Sequence, residues 1–230
     1  MTDSLASDRM DLEIGEIIRE TFEIILRNRT TFIPAALLLA SLPGAVAGLG
    51  RIGAPFLGVL GGLAAIVGAV LLQGALIDGT MSDLQGAPAS REELKVAALR
   101  FWLPLLGMGF LIGIAVLIGL VLLVVPGVFV ALLCSVAGPA LVCERLDIEG
   151  ALRRSIQLTR GRRLQIFVLA LIIWVGFAVI EWLLILIAGG WHSPLAAIVA
   201  SPLINAAAML IAAVSATILY RRLTHLPPAP

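Results

Sequence analysis

Apolar residues in this chain run in long unbroken blocks, and charged residues gather in short clusters between them. Between Phe101 and Cys143 there is no charged residue at all. As a single helix that segment would be ~64 Å long, about twice the ~30 Å hydrocarbon core of a bilayer, so it must reverse. The stretch "VVPGV" is where it is predicted to do so, because Pro126 lacks a backbone donor and Gly127 tolerates unusual dihedrals. Spans are therefore predicted at 101–125 and 127–143. The same reasoning divides the first apolar block at "GLGRIGAP", where Gly50, Arg51, Gly53 and Pro55 make a turn, giving spans at 31–50 and 54–77. A third pair, 164–188 and 194–220, is joined by "GGWHSP".

The clusters between these pairs carry a different periodicity. In "LEIGEIIRETFEIILRN", Ile14, Ile17, Ile18, Phe22 and Ile25 fall on one helical stripe, with Glu13, Glu16, Glu20, Glu23 and Arg27 on the other face. In "SREELKVAALRF", Ser90 and Glu93 have capping-box spacing. In "ERLDIEGALRRSIQLTRGRR", Ile148, Leu152, Ile156 and Thr159 form the stripe, and Glu149 stands four residues before Arg153. Interfacial helices are expected at 11–29, 90–100 and 147–160. The predicted fold is an all-α integral membrane protein: one domain, 1–230, of six transmembrane helices in three hairpins, each preceded by a cytoplasmic interfacial amphipathic helix.

Composition agrees with this reading. Hydrophobic residues make up 60% of the chain and charged residues 13%, and the mean hydropathy of +1.07 is far outside the soluble range. The first ~30 residues lack the basic start and apolar stretch of a secretory signal, so no cleavable leader is expected. Of the sixteen Lys and Arg residues, the predicted topology leaves Arg51 alone on one side and the rest on the other. Short cytoplasmic loops retain Lys and Arg, so both termini are expected in the cytoplasm, with the chain in a bacterial inner membrane.

Charge also differs along that side. The N-terminal segment has seven acids against four bases, and 144–163 has six bases against three acids. A basic loop at a membrane surface attracts anionic headgroups, each Lys or Arg contributing about 1 kcal/mol. Arg153, Arg154, Arg160, Arg162 and Arg163 are accordingly the expected anionic-lipid ligands.

Catalysis in a membrane needs acids, bases or metal ligands gathered at one depth. His192 and His225 are predicted on opposite sides. Cys134 and Cys143 are ~13 Å apart along a helix, too far for a disulfide, and read as packing residues. Asp78, Asp83, Glu92, Glu93 and Glu144 share the cytoplasmic side and read as solvated or paired with Arg. No cofactor or metal is expected.

Within the spans, Glu181 is the deepest ionisable residue, beside Trp182, and its expected partner is Arg51, which would place spans 1 and 5 side by side. Gln73, Ser135, Ser201 and Ser215 read as mild polar groups. Asn205 is expected to hydrogen-bond across helices, for about 0.6–2 kcal/mol. Gly44/Gly48, Gly58/Gly62 and Gly109/Gly113 have GxxxG spacing, read as internal packing more than oligomerisation.

The segment "GPALVCERLDIEGALRRSIQLTRGRR" resembles the membrane domain of bacterial glycerophosphodiester phosphodiesterases and related six-span proteins. The matching positions are Pro139, Glu144, Ala151, Leu152, Arg153, Arg154, Ser155, Leu158, Thr159 and Gly161, and "IGEIIRETFEIILRN" and "GTMSDLQGAPASREELKVAALR" look similar too. The resemblance implies a six-span membrane part without catalytic residues, because catalysis in such enzymes belongs to a separate barrel domain absent from this sequence. The expected function is that of a non-enzymatic scaffold or accessory factor in membrane lipid homeostasis. Its expected partners are membrane lipids, a second copy or another membrane protein, with no nucleic acid. The alternative is a small transporter or channel.

Overall fold

The computed structural model describes residues 14–187, 193–194 and 196–225. Trp191, His192, Ala188 and the first residues of the expected 11–29 helix lie outside these. Every regular element among the described residues is helical. Six helices are long and apolar enough to cross a membrane: Arg29–Ile52, Pro55–Leu84, Arg91–Leu122, Val125–Cys143, Arg163–Ile187 and Ile198–His225. They are numbered spans 1 to 6 below. Two further helices precede span 1 and span 5, an N-terminal helix Ile14–Arg27 and a connecting helix Ile148–Leu158.

Proline positions explain most differences from the expected boundaries. Pro34 lies inside the first helical stretch of span 1, and a π-helical turn, Leu37–Ser41, follows it. A proline withdraws a backbone donor and crowds the preceding turn, and the wider π turn absorbs the misfit. Gly53, at φ 107°, closes the turn between spans 1 and 2, and Pro55 opens span 2, the first-turn position where proline costs nothing. Spans 3 and 4 reverse at Leu123, whose backbone is extended, and not at Pro126–Gly127. Pro126 instead falls in the first turn of the next helix, whose N–H groups have no intrahelical partner in any case.

The expected 90–100 helix is not a separate element. Its capping box forms, with the Glu93 N–H donating to Ser90 Oγ (3.2 Å) and the Ser90 N–H to Glu93 Oε2 (3.0 Å). The helix it starts then runs unbroken to Leu122, through Pro104 and four glycines.

Span 4, expected as one helix, is broken into Val124–Leu133 and Ala137–Cys143. Pro139 is the cause: an unbroken helix would need its missing N–H for the Ser135 carbonyl, which its ring would also strike. The break releases the Leu133 carbonyl, which accepts a hydrogen bond from Ser155 Oγ of the connecting helix at 2.6 Å.

Span 6 lies in the middle of the bundle, burying Ile204, Leu210, Val214, Ile218 and Tyr220. Around it are Phe32 of span 1, Leu72, Leu76 and Ile77 of span 2, and Val136 and Leu141 of span 4. Spans 1 and 2 meet backbone to backbone: a Cβ on Gly68 would lie 1.8 Å from the Leu39 carbonyl oxygen. Span 5 is peripheral and turns Trp174, Val179, Trp182 and Leu186 outward.

The two shorter helices turn most of their marked stripes to the core: Ile17, Ile25 and Thr159 are buried and Ile14, Ile18, Ile148 and Leu152 pack against it, while Phe22 and Ile156 do not. The N-terminal helix buries Ile17, Thr21, Ile24 and Ile25, with Phe22 exposed. The connecting helix buries Ala151 and Ser155, with Ile156 exposed.

Candidate functional site

Three polar nodes tie the helices together at the end of the bundle that carries most of the arginines. In the first, Asn28 breaks the chain between the N-terminal helix and span 1 and is buried. Its Nδ2 donates to Asp83 Oδ1 of span 2 at 2.8 Å, and its Oδ1 accepts the Ala89 N–H at 3.3 Å. Asp83, with a side chain only 2% exposed, also has Arg27 Nη1 at 3.3 Å from Oδ2. A buried carboxylate is tolerated only when paired and hydrogen-bonded; Asn28 hydrogen-bonds Oδ1 and Arg27 supplies the opposite charge, while Oδ2 itself accepts no hydrogen bond. Arg91 Nη2 donates to the Thr30 carbonyl at 3.2 Å and closes the loop side. Asp83, read from sequence as solvated or paired with Arg, is paired with Arg27 and is buried rather than solvated.

In the second node, Glu144 Oε1 accepts from both Arg154 Nε (2.8 Å) and the Tyr220 hydroxyl (2.5 Å). This joins the end of span 4, the connecting helix and span 6. Burial pushes the Glu144 carboxyl up, but the two donors outweigh it and hold the group below the usual carboxylate range. In the third, Arg222 near the end of span 6 reaches Glu16 Oε2 at 3.3 Å and Glu20 Oε2 at 2.9 Å on the N-terminal helix.

The five arginines expected to bind lipid have different surroundings. Arg153 is exposed and paired with Glu149. Arg154 belongs to the Glu144 node. Arg163 places its guanidinium carbon 4.9 Å from the centre of the Phe129 ring, within cation–π range, which sets the start of span 5 beside the first half of span 4. Arg160 is exposed and Arg162 half-buried. Gly161, at φ 81°, makes the turn between the connecting helix and span 5. Of the other acids, Glu92 pairs with Lys95 at 2.8 Å and Glu93 completes the capping box.

The expected pairing of Arg51 with Glu181 does not form: among the described residues no ion pair joins them. The helix order is the reason, since span 1 packs against spans 2 and 6. Span 5 packs on span 6 instead, where Glu181 is half-buried. Asn205 bonds within its own helix, Nδ2 donating to the Ser201 carbonyl at 2.9 Å, in place of the expected bond across helices. Ser41 makes a cross-helix bond there, its Oγ lying 3.4 Å from the Pro202 carbonyl.

Two cavities open within the bundle. One of about 350 Å³ lies between spans 2, 4 and 6, with Gln73, Ser135 and Pro139 in its wall. Ser135 Oγ is buried there without a partner. The other, of about 420 Å³, lies between spans 1, 2 and 6 and includes Arg51 and Asn205. Ala69 and Met209 line both.

Asn28 escaped the reading of the sequence, and Ser135 reads there as no more than a mild polar group. The signal for Asn28 was a lone amide between two helical blocks, and for Ser135 its place four residues before Pro139. Comparison of the chain with family models, with curated proteins and with solved structures finds no match.

Proposed function

We propose that this chain is a non-enzymatic, multi-pass protein of a bacterial inner membrane that holds anionic lipid at its arginine-rich end, as a scaffold or accessory factor in membrane lipid homeostasis. In this reading the arginine-rich end and both termini are cytoplasmic. The spans form three hairpins, and the N-terminal and connecting helices lie at the membrane surface. The resemblance to the membrane part of glycerophosphodiester phosphodiesterases belongs to the same proposal.

One observation carries it: Arg160, Arg162 and Arg163 flank the Gly161 turn where span 5 begins. Arg160 is exposed, and Arg163 is steadied by Phe129. Such a turn presents guanidinium groups, which match phosphate geometry, where a headgroup meets the bilayer. The geometry narrows the expected set, because Arg154 is committed to Glu144 and Arg153 to Glu149.

The test is native mass spectrometry from mild detergent with phosphatidylglycerol present. Arg160→Gln/Arg163→Gln should lose most of the retained lipid that wild type carries at this site, and Arg153→Gln should not. Equal lipid retention by wild type and the double variant would leave a protein partner as the better reading.

A second reading, a small transporter, is favoured by the two adjoining cavities. They lie beside the break at 134–136 and the π turns Leu37–Ser41 and Ala196–Ala200, and discontinuous helices beside an interior cavity recur in transport sites. Solute flux into proteoliposomes that Ser135→Phe abolishes would support it; flux-inactive vesicles with every solute class tried would count against it.

A further inference from the structure

The groove between spans 1, 2 and 6 has a composition that narrows what fills it. Its walls are Gly44 and Gly48 of span 1, Ala65 and Ala69 of span 2, and Met209 of span 6, and Arg51 is its one charged lining residue. These small side chains hollow the surface where larger ones would close it. Among the described residues no acid lines the groove, and none is hydrogen-bonded or ion-paired to Arg51, which is exposed. A guanidinium at a span end reaches the interfacial zone, where lipid phosphates lie. Its planar set of donors suits a phosphate better than a point charge does.

Asn205 adds a second polar group to the same groove. One of its N–H groups is taken by the Ser201 carbonyl, and its exposed amide keeps a second N–H and an oxygen for a ligand. Beyond Ala69 and Met209 the groove adjoins the cavity of about 350 Å³, so an extended apolar chain has somewhere to go. Each volume lies within the ~300–1,000 Å³ of ordinary ligand pockets.

We propose that this groove holds one phospholipid of the leaflet opposite the arginine-rich end, its phosphodiester against Arg51 and Asn205 and an acyl chain along Ala65, Ala69 and Met209. Charge decides for a lipid over a second protein helix: the bilayer supplies a phosphate and a hydrocarbon chain at the required depth, and a helix would have to bury an acid to match Arg51. The site is separate from the Arg160–Arg163 turn, so either can fail without the other.

The experiment measures phosphatidylglycerol retained by the full chain in native mass spectrometry, together with photo-cross-linking by a phosphatidylglycerol carrying a diazirine in its acyl chain. Arg51→Gln should lower occupancy of one lipid about tenfold, equivalent to about 1.4 kcal/mol, and Asn205→Leu should lower it less. Ala69→Trp, which fills the groove, should remove that lipid, and Arg160→Gln/Arg163→Gln should leave it in place. In wild type the cross-link should map to 65–69 or 205–209. Unchanged occupancy in Arg51→Gln overturns the proposal, as does a cross-link confined to other segments. So does a wild-type dimer that Ala69→Trp converts to monomer, which would show a second copy in the groove. Arg51 is exposed in the turn after span 1, so its variant reads out even where Ala69→Trp does not fold.

Discussion

Asn28 is one residue, and it joins three segments: the end of the N-terminal helix, span 2 through Asp83, and the loop before span 3 through the Ala89 N–H. Asn28→Ala leaves the Asp83 carboxylate buried with only Arg27 beside it, which should cost about 1–3 kcal/mol. Thermal unfolding in detergent measures this, and a double variant with Asp83→Ala should lose less than the two single losses combined. Glu144 gives a different signature because its folded pKa is lowered. Its stabilisation is complete above the unfolded value of about 4.3 and disappears as pH falls through the lower folded value. Wild type should therefore be more stable than Glu144→Gln at pH 7, and the gap should close as pH falls below about 4. A gap that stays constant down to about pH 3 would show that the Arg154 and Tyr220 bonds do not depend on the charge. Pairing of Asp83 and Glu144 with Arg was legible in the sequence as one of two readings, but their bonds to Asn28 and Tyr220 were not, because those partners meet only once helices distant in the chain are neighbours. The Ser90–Glu93 cap was legible, because both its partners lie within one turn.

Elements were legible where their cause is local and missed where it is not. The apolar blocks marked the spans, and the turn at Gly53–Pro55 fell where the glycine and proline put it. The two prolines in the 101–143 block misled in opposite ways. Pro126 reads as a turn and begins a helix, and Pro139 reads as part of a helix and breaks it. Glycine spacing marked close packing at Gly44 and Gly58, where an added Cβ would lie 3.1 Å from Pro202 and 2.6 Å from Gly50, but not in the third pair. Gly109 and Gly113 have GxxxG spacing, yet a Cβ added to either would meet nothing within 4 Å, whereas one on Gly61 would lie 2.2 Å from the Ala47 nitrogen. Gly68→Ala, whose new methyl would strike the Leu39 carbonyl, should therefore destabilise by about 1–3 kcal/mol, the range for forcing atoms into a filled site. Gly113→Ala should change stability by no more than about 0.5 kcal/mol, or raise it. Thermal midpoints of the two variants in one detergent separate these outcomes, and equal midpoints would mean that spans 1 and 2 do not pack as described.

At the scale of the molecule, the even number of spans and the concentration of arginine at one end were plain in the sequence, because both depend on composition and count alone. Which spans touch was not. Span 6 at the centre and span 5 at the periphery follow from side-chain fit, which apolar blocks of similar hydropathy do not encode, and the expected Arg51–Glu181 contact failed for that reason. The proposal of anionic-lipid binding at the arginine-rich end requires that end to face the cytoplasm. Sided labelling of single cysteines in intact cells and inverted vesicles, in a background lacking Cys134 and Cys143, tests this most directly. Cysteines at Ala87 and Thr224, both exposed, should react with a membrane-impermeant maleimide only in inverted vesicles, and one at Ser193 only in intact cells. Reaction of the Ala87 or Thr224 cysteine in intact cells would contradict the account.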